Sequence, residues 1–127
     1  MKTRTRPVLL FGLLTLALAQ LAHSEEPRFS ILGAGAATCA EFLDATAKAR
    51  KSDLASQNAL SMLSWVQGAL TGMAFQNMVN EKPNVSLPDH VELRSRVNDM
   101  CEASPNEQLV VMAAAIFMDE QKLARRK

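Results

Sequence analysis

Ser64-Trp65-Val66-Gln67-Gly68-Ala69-Leu70-Thr71-Gly72-Met73 lies in a stretch that reads as helix. It carries two glycines one turn apart, just past the only tryptophan in the chain. Each glycine costs a helix about 1 kcal/mol relative to alanine, so the pair asks for a compensating use. At 100° per residue, Ala59, Leu63, Val66, Leu70 and Met73 share one face of a helix running from about Ala55 to Asn80. Trp65, Gly68, Gly72, Phe75 and Val79 share a second face, at steps of three and four residues, the rhythm of a packed seam. On this reading two bare backbone positions sit between aromatic knobs, and a neighbouring helix or one of its large side chains fills the notch. Ser64, Gln67 and Thr71 form the solvent-facing strip. The stretch therefore predicts a central helix with neighbours on two sides. Gly68-x-x-x-Gly72 also matches a membrane-helix dimer motif. Gln67, Gln76 and Asn77 interrupt the apolar run, which favours packing inside a soluble bundle.

The flanking segments read as helices too. Thr38-Cys39-Ala40-Glu41 is a capping box opening a first helix to about Arg50, with Phe42, Leu43 and Ala47 turned inward. Lys51-Ser52-Asp53 is a short polar break. Asn80-Glu81-Lys82-Pro83-Asn84 is a turn cluster, and Pro88-Asp89 suits the first turn of a third helix. That helix presents Leu93, Val97, Met100 and Cys101 and ends near Ala103. Ser104-Pro105-Asn106-Glu107 reads as a second capping box before a fourth helix reaching about Arg125. Residues 109–118 of that helix, LVVMAAAIFM, are ten apolar residues with no polar face. They suit a buried core helix or a surface kept for another copy or another protein. No strand alternation or Asn-Gly or Asp-Gly hairpin turn is present. The expected fold is all-α, a small four-helix orthogonal or bundle-like domain.

Before these helices comes a different kind of segment. Lys2, Arg4 and Arg6 make a positive start, Val8 to Leu21 is mostly apolar, and Ala22-His23-Ser24 places small residues where a signal peptidase reads them. That is the layout of a Sec-type secretory signal peptide over residues 1–24, cleaved before Glu25. An apolar run of about 14 residues is short for a span of roughly 20, which disfavours an uncleaved anchor. Residues 25–37 then form a lead-in loop to one helical domain over 38–125. Gly33-Ala34-Gly35 within it lacks the third glycine and the βαβ setting of a phosphate cradle, and reads as a flexible approach. Removing the leader removes three of 14 basic residues and none of the 13 acidic ones, leaving a net charge of about −2. Without a basic surplus, nucleic acid is not an expected partner. The expected location is the periplasm of a bacterium, or the medium, with no membrane span after the leader is removed.

Cys39 and Cys101 are the only cysteines. In an exported small domain an even count implies a disulfide, and two cysteines allow one pairing. The alternative is a reactive thiol, since a helix start at Cys39 would favour the thiolate. The absence of C-x-x-C favours the bridge. Catalytic signals are thin. His90 is the one histidine after the leader, no G-x-S-x-G marks a nucleophile elbow, and His90-Val91-Glu92 lacks the P-C-x-x-C of a zinc deaminase. One histidine and scattered carboxylates make neither a metal site nor an acid/base pair. The residues point to no enzyme and to no cofactor.

Thr38-Cys39-Ala40-Glu41-Phe42-Leu43, then Ser64-Trp65-Val66-Gln67-Gly68 with Gly72, then Cys101 with Pro105 before an alanine-rich helix, resembles the small periplasmic acid-stress chaperones, the HdeA/HdeB family. The likeness covers about residues 36–118, and Ala45 to Asn58 departs from it. Similar spacing also occurs in the Tai-type immunity proteins of type VI secretion. The chaperone resemblance implies a homodimer at neutral pH that opens in acid and exposes apolar surface to unfolding client proteins. Leu109, Val110, Met112, Ile116 and Phe117 would supply that hidden surface, with Trp65 and Phe75 as additions. The immunity resemblance implies a fixed surface holding a single effector.

Overall fold

The computed structural model describes residues 30–126. The expected leader, residues 1–24, and the start of the lead-in, 25–29, lie outside the described residues. A 3-10 helix, Gly33–Ala36, precedes four α-helices: α1 Cys39–Lys48, α2 Asp53–Val79, α3 His90–Ala103 and α4 Leu109–Ala124. Among the described residues the only β-type pairing is a single bridge between Thr38 and Gln108. The domain is all-α.

Each helix starts for a local reason. Thr38 forms the expected capping box: its hydroxyl accepts from Glu41 N at 3.3 Å, and the Glu41 carboxylate accepts from Thr38 N at 2.7 Å. Ser52, in the polar break, caps α2. Asp89 caps α3: its Oδ1 accepts from Val91 N and Glu92 N, each at 2.9 Å. Pro88 therefore lies outside the helix rather than in its first turn.

The second capping box, at Ser104 to Glu107, does not form. Residues 105–107 make a turn, and α4 begins later, with Gln108 at the N-cap and no side-chain cap bond. The carbonyls of this turn serve a different helix. Cys39 N donates to Glu107 O and Ala40 N to Pro105 O, both at 2.8 Å, while Leu109 N donates to Ala37 O at 3.0 Å. The starts of α1 and α4 thus satisfy each other's unpaired backbone groups, which a helix beginning at Pro105 would prevent.

α2 is the long element and packs chiefly on α4 and α1, with a narrower contact to α3. Its first face behaves as expected: Leu63, Val66 and Leu70 are buried, with Ala59 and Met73 half-buried at its ends. They meet Phe42 of α1, Leu93 and Val97 of α3, and Leu109, Met112, Ala113, Ile116 and Phe117 of α4 in one core. In α1 the buried small residue is Ala45, while Ala47 faces solvent. Cys39 and Cys101 are bonded, both fully buried, and tie the start of α1 to the last turn of α3.

α2 stops at a left-handed residue. Glu81 has φ +55°, Lys82 N donates to Asn77 O at 2.9 Å and Glu81 N to Met78 O at 3.1 Å. That is a Schellman ending, with glutamate where glycine is the usual choice.

Candidate functional site

The second face of α2 is not a filled seam. A Cβ added at Gly68 or at Gly72 would meet nothing within 4 Å. Both glycines face solvent, and beyond them Phe75 and Val79 are 59% and 56% exposed. Only Trp65, at one end, is covered. Its partner is the 3-10 helix of the lead-in: Trp65 Nε1 donates to Leu32 O at 3.0 Å. A Cβ on Gly35 would fall 2.1 Å from the indole Cζ2. Gly33 takes φ +72° beside the same ring. The two lead-in glycines let the backbone lie against tryptophan, so this segment is a packed turn, not a flexible approach. The notch expected at Gly68 and Gly72 is real, but no element among the described residues enters it.

The open strip is wider than the five expected residues. Leu54, Leu60 and Met78 are also more than half exposed. From Leu54 to Asn80 the sequence holds no Asp, Glu, Lys, Arg or His. A solvated helix face normally mixes both signs of charge, and a contiguous apolar patch marks an interaction surface more often than scattered single residues do. The available signal was the 27-residue absence of charge, which fits a buried helix equally well.

The other expected binding residues lie elsewhere. Leu109, Met112, Ile116 and Phe117 are in the core, and Val110 is half-buried. The four core residues reach solvent only if α4 lifts. In the folded chain these residues, Trp65 and Phe75 do not form one surface. α4 does have a wet edge, at Val111 and Met118.

Two polar ties hold α4 in place. Arg96 of α3 pairs with Glu120 of α4, and with Glu92 at 3.7 Å. Buried Asn77 of α2 accepts at Oδ1 from Gln121 Nε2 at 3.0 Å. His90 is exposed on the first turn of α3, and its neighbour Asp89 is engaged by the helix cap. Among the described residues no group of three or more His, Cys, Asp or Glu side chains is placed to hold a metal ion. No described helix is long and apolar enough to cross a membrane.

No protein-family model, curated protein or solved structure matches this chain. The candidate site therefore rests on the geometry of α2. The strip is uncharged along its length and apolar at Phe75, Met78 and Val79, its backbone is bare at two positions, and it stands on a helix pinned by the core beneath.

Proposed function

We propose that this chain is a small periplasmic, disulfide-stapled helical protein that binds other proteins, and that the outer strip of α2 is its docking face. The observation that carries the reading is the exposure of Phe75, Met78 and Val79 beside open Gly68 and Gly72 on a helix without charge from Leu54 to Asn80. Such a face loses little by leaving water, because no ion has to be desolvated. A Sec signal over residues 1–24 delivers the chain to an oxidising compartment, where Cys39 and Cys101 pair. Catalysis forms no part of this role.

Within it, we favour an acid-stress chaperone of the HdeA type. In strong acid the 13 carboxylates lose their charge and the bases do not, so a net charge of about −2 rises above about +10 and self-repulsion favours opening. The Arg96–Glu120 pair and the Asn77–Gln121 hydrogen bond are the polar ties that such opening breaks. α4 can lift and add Leu109, Val110, Met112, Ile116 and Phe117 to the α2 strip as one client-binding surface, while the disulfide keeps the opened chain compact. The second reading is an immunity-like inhibitor of one effector. Its support is that the α2 strip is exposed in the folded state and needs no opening.

The oxidised protein is to be followed by size and by suppression of client aggregation from about pH 7 to about pH 2, with and without reductant. Chaperone action predicts suppression that appears in acid and fails after reduction. Tight one-to-one capture at neutral pH with no acid response supports the inhibitor. Neither behaviour, with no complex at any pH, overturns protein binding.

A further inference from the structure

A cavity of about 300 Å³ opens where α1 ends, α2 begins and α3 passes beside them. Its lining is amphipathic. Phe42, Ala49, Ala59, Leu60 and Leu63 give it apolar surface, and Thr46 and Ser56 add hydroxyls. Arg50 and Arg94 line it as well, and no carboxylate does. Both arginines are exposed, and among the described residues neither has an ion-pair partner within 4.0 Å or a side-chain hydrogen bond. By contrast Lys48, Arg96 and Lys122 each sit on a carboxylate. Lys51 adds one further positive charge at the same junction, since Lys48 is paired with Asp44.

We propose that this cavity binds a small carboxylate carried on a short apolar chain. The carboxylate meets the Arg50 and Arg94 guanidiniums, whose planar donor forks match its geometry. The chain lies along Phe42, Ala59, Leu60 and Leu63. The volume is at the lower end of the ~300–1,000 Å³ usual for small-molecule sites, which selects a short chain over a long one. Uncompensated positive charge at the mouth selects an acid over an alcohol or an amine of equal length. The site shares only Leu60 with the outer strip of α2, and its test does not depend on protein binding.

The test is a titration of the oxidised protein with octanoate near neutral pH, followed by backbone-amide NMR shifts and calorimetry. Octanol and octylammonium serve as matched probes. The expected result is saturable one-to-one binding of octanoate with shifts gathered at Thr46, Arg50, Ser56, Ala59 and Arg94. Octylammonium does not bind, and octanol binds at least about tenfold more weakly, as the loss of charge-assisted hydrogen bonds requires. Arg50→Gln and Arg94→Gln each weaken octanoate by a similar factor and, being surface changes, leave the fold intact by circular dichroism. Ala59→Phe fills the cavity and blocks octanoate with both arginines present; if that variant does not fold, the arginine variants decide. Equal binding of octanoate and octylammonium overturns the proposal, as does wild-type affinity in the double arginine variant or the lack of saturable binding.

Discussion

Gly35 lies so close to Trp65 that a single added carbon would sit 2.1 Å from the indole ring. The lead-in turn and the central helix are fitted to each other through that missing side chain. Gly35→Ala must push the ring or the turn aside, and overpacking of this kind costs about 1–3 kcal/mol. Gly68→Ala and Gly72→Ala meet no neighbour and remove a poor helix former, so each stabilises by up to about 1 kcal/mol. Chemical denaturation followed by the fluorescence of the single tryptophan distinguishes them. Only Gly35→Ala shifts the native emission to the red.

Breaking the bond between Cys39 and Cys101 releases a separation of 62 residues, which the chain-entropy model rates at about 4 kcal/mol. For a domain of this size that is a large part of the net stability. The Cys39→Ser/Cys101→Ser variant is expected to show a large drop in denaturation midpoint, and the wild type to match it under reductant. Equal midpoints with and without reductant contradict the staple.

Glu81 ends α2 with φ +55°, a conformation that costs a side-chain-bearing residue about 1 kcal/mol or more. Glu81→Gly keeps the Schellman bonds and removes that cost, so it stabilises by about 1 kcal/mol in urea denaturation. A loss of stability would show that the Glu81 side chain has a role of its own.

Glu41 gives the pH dependence a defined sign. Its carboxylate accepts from the backbone N–H of Thr38 and from the Thr38 hydroxyl, and these bonds to the charged form hold its pKa below the ordinary glutamate range. A depressed folded-state value contributes stability that is fully present above the unfolded value, about 4.3. That contribution is lost as pH falls through the lower folded value. Glu41→Gln is therefore less stable than wild type at neutral pH, and the two stability curves converge as pH drops below that range. Parallel curves down to about pH 2 would contradict the capping role.

The helix count, the first capping box, the core face of α2 and the cysteine pair were legible because each depends on local chemistry or on one strong period. The α2 stripe of Trp65, Gly68, Gly72, Phe75 and Val79 was legible as a stripe but not as surface. Its spacing is the same whether a neighbour fills the glycine notch or water does. The start of α4 misled for a related reason. Ser104 and Glu107 have the spacing of a cap, but the turn between them gives its carbonyls to α1, a tertiary contact no local pattern records. Arg50 and Arg94 lie 44 positions apart in the sequence, and only the packing of α3 beside the α1–α2 junction puts them in one cavity.

The most direct test replaces the apolar end of the α2 strip with charge, as Phe75→Lys/Val79→Lys, and measures complex formation beside the wild type from about pH 7 to about pH 2. Both side chains are more than half exposed, so the variant is expected to unfold at nearly the wild-type midpoint. The account predicts that the wild type holds a protein partner, a denatured client in acid or a single effector at neutral pH, and that the variant does not. A variant that folds normally and binds as the wild type does would contradict the assignment of this face.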